Sequence, residues 1–164
     1  MAELTKLEAK LGEVAGLAMA AQAATKKVST LAKADHPDLI PRLEQMHDEA
    51  AETERRCIEI ADDLDGKKTA ILEEARATKS KGAEMMSTYL DDDADALDGF
   101  EFLTMAEAGE VGHWSVLKKL NEKKRSAEID ELVSWALPIQ ERHLSQVKKA
   151  SLELASEEDP DEQA

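Results

Sequence analysis

The sequence predicts an all-α protein, a four-helix bundle of two antiparallel hairpins, and three observations carry that expectation. Ala, Leu, Glu, Lys and Met dominate the 164 residues, with only seven glycines and four prolines, a mixture that favours helices over sheets. Apolar residues recur at three- and four-residue steps over long windows, the period of an amphipathic helix. Runs of β-branched residues are absent. The length suits one domain with a single sizeable core, expected over residues 1–155, followed by an acidic disordered tail over 156–164.

A first helix is expected from about residue 3 to 33, with Leu4, Leu7, Leu11, Val14, Ala15, Ala18, Gln22, Thr25 and Ala32 on its inner face. Asp35-His36-Pro37-Asp38 breaks it, with Asp35 or Asp38 as N-cap of the second helix. That helix covers about 39–64, turning Leu39, Leu43, Met46, Ala50, Thr53, Cys57, Ile60, Ala61 and Leu64 inward until Asp65-Gly66 ends it. Residues 67–95 read as a long and less regular connection: a short helix near 68–79, then Lys81-Gly82 and an acidic run. The third bundle helix spans about 96–122, where Phe100, Leu103, Ala106, Trp114 and Leu117 form one stripe. The turn at Asn121–Ser126 leads to the fourth, about 127–155, with Ile129, Leu132, Val133, Ala136, Gln140, His143, Val147, Ala150 and Leu154 inward. Pro138 is expected to kink or locally loosen that helix, leaving the carbonyl of Ser134 free of its usual partner.

Net charge is −15, which repels phosphate backbones and anionic membrane surfaces, so neither nucleic acid nor membrane is an expected partner. The lone Cys57 excludes an intramolecular disulfide and falls on an apolar stripe, as a buried and inert thiol would. The segment 14–24 is too short and too broken to span a membrane. A cytoplasmic protein is expected, as a homodimer or other homo-oligomer.

The chemistry lies in polar residues that face inward. On the wheel of the third helix, Glu107 and Glu110 fall within about 40° of the apolar stripe's centre. Buried carboxylates are costly unless paired, hydrogen-bonded or bound to a cation, so the two demand a partner. Counted from turns near residues 36 and 124, Gln22, His47, Glu54, Glu107, Glu110, Gln140 and His143 all sit near mid-helix. Packing the hairpins together would bring them to one level. A carboxylate set with imidazole binds iron, manganese or zinc, and the nitrogen ligand discriminates against calcium and magnesium.

Met105-Ala106-Glu107-Ala108-Gly109-Glu110 with Trp114, the segment His47-Asp48-Glu49-Ala50-Ala51-Glu52-Thr53-Glu54, and the long middle connection resemble the ferritin-like superfamily, nearest the YciF-type bacterial bundle proteins. The resemblance implies a carboxylate-bridged two-metal centre, with one Glu on each of two helices and Glu-x-x-His on each of the others. Here Gln22 stands where the first helix should give a glutamate, and Gln140-x-x-His143 replaces Glu-x-x-His. The literal Glu44-x-x-His47 turns Glu44 about 140° from the stripe's centre. The expected metal ligands are therefore Glu107, Glu110, His143, Glu54 and His47, with Glu141 and His113 as lesser candidates. Gln22 and Gln140 are expected to hydrogen-bond the carboxylates.

These residues are compatible with two functions from different classes. One is a non-haem iron or manganese protein, with zinc as a further option, acting in oxidative or general stress; if it is an enzyme, the activity is of oxidase or peroxidase type. The other is a degenerate bundle without metal, whose polar core specifies helix register and whose role is structural or interactive.

Overall fold

The computed structural model describes residues 2–163; positions 1 and 164, the outer ends of the expected bundle and tail, lie outside them. Five α-helices account for most of the described chain and no strand occurs among those residues: α1 (Lys6–Ala32), α2 (Ile40–Asp63), α3 (Lys68–Tyr89), α4 (Ala96–Lys124) and α5 (Ala127–Ala155). Local chemistry sets the boundaries. Thr5 caps α1 in a reciprocal box, accepting from the Glu8 N–H at 3.2 Å while Glu8 accepts from the Thr5 N–H at 2.7 Å. Asp95 and Asp98 make the same box for α4, each bond 3.0 Å long. Gly66 turns with φ 70°, a left-handed conformation that glycine adopts without a Cβ penalty. At the α4–α5 turn Arg125 takes φ 59°, and the buried Asn121 side chain stabilises it by donating to Ser126 O (2.9 Å) and accepting from Ser126 N (3.1 Å).

Two expectations about the elements are corrected. Neither Asp35 nor Asp38 caps α2; a single 3-10 turn, Pro37–Leu39, enters that helix without a side-chain cap, and the proline-rich entry has fewer N–H groups to satisfy. The middle connection is also not irregular. Its helix continues past residue 79 to Tyr89, straight through Gly82. Gly82 is not a breaker but a contact point, because a Cβ there would lie 2.7 Å from Cβ of Ala20. Pro138 is likewise absorbed, since α5 runs uninterrupted across it with Pro138 and Ser134 both outside the buried core, where water can reach the freed carbonyl.

Helix α1 is the hub. It packs against α2, α3 and α4, while α4 packs along α5. The α2–α5 seam is thinner and is bridged by polar groups: Arg42 donates to Gln146 O (3.3 Å), Arg142 pairs with Glu49, and the Arg56 guanidinium lies 4.0 Å from the Trp135 ring centroid. Helix α3 lies so close to α1 that Gly12 and Gly16 are buried beneath it. A Cβ on Gly16 would meet Ala75 O at 2.3 Å.

The apolar core is in two halves. One contains Val28, Leu43, Met46, Phe100, Leu103, Val147 and Ala150; the other contains Leu11, Val14, Cys57, Ile71, Trp114, Leu117 and Val133. Along α2, α4 and α5 the two halves are separated by two turns or more of more polar sequence, while in α1 the intervening residues 16–23 are small or apolar apart from Gln22. Cys57 is buried as expected, and burial, then the charge of Glu54, pushes its thiol up. No described helix is long and apolar enough to cross a membrane. Beyond Ala155 the described chain runs as exposed turns.

The glycine contacts separate two kinds of substitution. Gly16→Ala overpacks the α1–α3 seam and is expected to lower unfolding free energy by about 1–3 kcal/mol. Gly112→Ala, with nothing within 4 Å of its new methyl, is expected to raise it by up to about 1 kcal/mol through helix propensity. Chemical denaturation of both variants checks this; equal effects would mean that α3 does not press on α1.

Candidate functional site

The polar layer between the core halves holds the acids that the helical wheel placed inward. Glu107 and Glu110, successive inner positions of α4, are 2% and 3% exposed. Opposite them on α5, Gln140 and His143 are equally buried. With its amide nitrogen turned to the acids, Gln140 donates to Oε2 of Glu107 at 2.9 Å and to Oε2 of Glu110 at 3.2 Å. One amide NH₂ has two donors, so a single glutamine can serve both carboxyls. Nδ1 of His143 lies 3.6 Å from Oε2 of Glu107.

The other side of the imidazole meets a residue that helical periodicity does not single out. Oε2 of Glu49, on α2, is 3.3 Å from Nε2 of His143 and also pairs with Arg142. The approach is off the line of a ring N–H bond, so buried Nε2 has no hydrogen-bond partner among the described residues. Trp114 Nε1 is the other such buried atom. Glu49 is one turn from both Met46 and Thr53, which are fully buried, and that flank position was the available signal. Its partners lie on α5 and so could not be read from α2 alone.

Electrostatics follow from burial. Desolvation, then the nearby charge of Glu49, pushes Glu107 up to about 8. Desolvation and Glu107 hold Glu110 well above the usual carboxyl range, with His143 acting the other way. Burial lowers His143, against the opposing pull of Glu49 and Glu110. Burial thus favours the neutral form of each of these three groups.

The other expected ligands are not brought to this centre. Glu54 accepts a hydrogen bond from Gln22 across the α1–α2 seam, and Gln22 also donates to Ala18 O at 3.3 Å. Gln22 thus serves a carboxylate, but a different one from the α4 pair. His47 is half-buried and nearest Asp48, 3.5 Å away. Glu141 faces solvent on the outer side of α5. His113 turns to α1, where Nδ1 lies 3.1 Å from Glu13 Oε2 and 3.2 Å from Lys10 Nζ. Equal depth along the bundle did not guarantee convergence, because the side chains leave their helices in different directions. Among the described residues no three His, Cys, Asp or Glu side chains are grouped tightly enough to hold a metal ion as they stand.

The fold and its centre define a class: an all-helical bundle with a buried acid–amide–imidazole layer. Comparison with protein-family profiles, curated proteins and solved structures finds no match.

These shifts make stability depend on pH in a stated direction. An acid whose folded pKa is raised binds more protons folded than unfolded, so its contribution is complete below the ordinary carboxyl range and is lost as pH rises through the folded value. For Glu107 that window runs from 4.5 to about 8. His143 is lowered, so its contribution is present above 6.5 and is lost as pH falls below that value. Metal-free protein should therefore lose melting temperature between pH 6.5 and 8, where only the acids act. Glu107→Gln/Glu110→Gln should flatten the slope; an unchanged slope in that variant would refute the assignment.

Proposed function

We propose that this chain is a ferritin-like helical bundle that takes up one transition-metal ion, iron or manganese with zinc as a further candidate, at Glu49 and His143. The observation that supports this reading is the bare Nε2 of His143, buried beside a Glu49 oxygen 3.3 Å away. A nitrogen and a carboxylate oxygen from facing helices suit these metals better than calcium or magnesium. On the opposite ring nitrogen Glu107 stands where an orienting carboxylate belongs, 3.6 Å from Nδ1. The ion would favour the ionised form of acids that burial otherwise keeps protonated, beside the Glu49–Arg142 pair.

The donor set fits one ion rather than two. Gln140 and Gln22 occupy positions where a two-metal centre in such a bundle would have carboxylates, and Gln22 is engaged with Glu54. Uptake also requires Glu49 to release Arg142. Bound iron would supply redox chemistry with oxygen or peroxide, and the protein's part would be to hold it in a buried site.

A second reading has its own support. The double donation from Gln140 satisfies an oxygen on both acids without any ion, as a register-setting polar core would. Reconstitution with Fe(II), Mn(II) or Zn(II) in the absence of oxygen, followed by metal analysis, separates the two. The metal reading expects close to one equivalent in the wild type and little in Glu49→Gln or His143→Gln. Free ion at a hundred times its dissociation constant should add about 2.7 kcal/mol of stability. Wild-type content well below one equivalent with an unmoved melting temperature would leave only the metal-free bundle.

A further inference from the structure

A cleft of about 210 Å³ opens between α1, α3 and α4. Helices α3 and α4 barely touch, and the gap is walled by Leu17, Ala21, Phe102 and Leu103 with Met85 and Met105 at its edge. The methionines are 46% and 36% exposed, and their flexible thioethers can adapt to an incoming group. An apolar void of about 150 Å³ is large enough for benzene, so this cleft holds a ring with a short substituent.

Its lining is chemically one-sided. Glu107 and Glu110 contribute to it, no lysine or arginine does, and the remaining polar residue is His113. Gln140 and His143 approach only the Oε2 atoms of the two acids. No described side chain hydrogen-bonds to either Oε1. Two acids more than nine-tenths buried thus border an apolar cleft with acceptor capacity to spare. A carboxylate or phosphate ligand would find no cation among the lining residues, and either acid would repel it once ionised.

We propose that the α1–α3–α4 cleft binds a small hydrophobic ammonium compound, a primary amine on a phenyl or short aliphatic body, with its nitrogen at Glu107 and Glu110. The apolar walls bury the body, and the ammonium donates charge-assisted hydrogen bonds to the free carboxyl oxygens. The site does not use Glu49 but shares Glu107 with the metal reading, and titration of metal-free protein keeps the two apart.

Gly109 supplies the decisive variant. It lines the cleft, and a Cβ added to it meets nothing within 4 Å, so Gly109→Leu fills the cleft without disturbing the packed core. Gly112, equally open but outside the cleft, is the matched control. Calorimetric titration of chelator-treated protein with benzylamine, benzyl alcohol and benzoate tests the proposal whether or not the metal reading holds. Benzylamine should bind at least about tenfold more tightly than benzyl alcohol, a ratio set by one charge-assisted contact, and benzoate should not bind. Gly109→Leu should abolish benzylamine binding, Gly112→Leu should retain it, and Glu107→Gln/Glu110→Gln should bring it down to the alcohol's level. Methyl NMR of the wild type, needing no variant, should shift Met85 and Met105 first. No saturable amine binding, equal binding of amine and alcohol, or binding that survives Gly109→Leu overturns it.

Discussion

The bundle is organised around one constraint: a polar layer must be satisfied in the middle of an otherwise apolar stack. Glu107 and Glu110 on α4 cannot be left without partners at 2% and 3% exposure. The Gln140 amide reaches both, which pins α4 against α5 at one register. His143 carries the layer on to Glu49 and α2, and Glu49 returns it to α5 through Arg142. Sliding any of these helices by one turn would separate donors from acceptors. The apolar halves on either side supply bulk stabilisation; the layer between them decides which alignment is native.

The same layer sets the chemistry. Desolvation keeps Glu107 and Glu110 protonated to higher pH than ordinary carboxyls, and keeps His143 neutral. Each group is therefore held in the form that costs least in isolation, and the acids need a nearby cation to ionise at little cost. A metal ion approaching His143 Nε2 and an ammonium approaching the acids from the α3–α4 gap would meet that demand from opposite sides. Helix α3 makes the second approach available. Glycines let it lie close on α1, yet it leaves α4 almost uncovered, so the acids sit behind a cleft rather than a sealed wall.

Much of this was legible along the chain. The inner face expected for the last helix, from Ile129 to Leu154, is the buried face of α5, and its boundaries at 127 and 155 are the observed ones. Burial of Glu107, Glu110, Gln140 and His143 followed from periodicity alone. Other residues were not legible, for particular reasons. Gly82 fell outside the short helix expected near 68–79 because sequence gives no hint that Ala20 lies against it. Glu49 looked like a flank residue because its partners, His143 and Arg142, are on α5. His47 and Glu54 shared the layer's depth, but one stays beside Asp48 and the other pairs with Gln22.

By itself, then, the sequence determined the helices, most of their ends, and which side chains each one turns inward. Those properties depend on neighbours within a turn or two: capping bonds, a left-handed glycine, a repeat of 3.6 residues. Only the tertiary structure decided which inward polar groups meet, that the middle connection is a full helix pressed on α1, and that a cleft reaches the acids. Those depend on how far apart helices lie and how they are rotated about their axes. Contacts between residues distant in the chain settle both, and no local pattern encodes them.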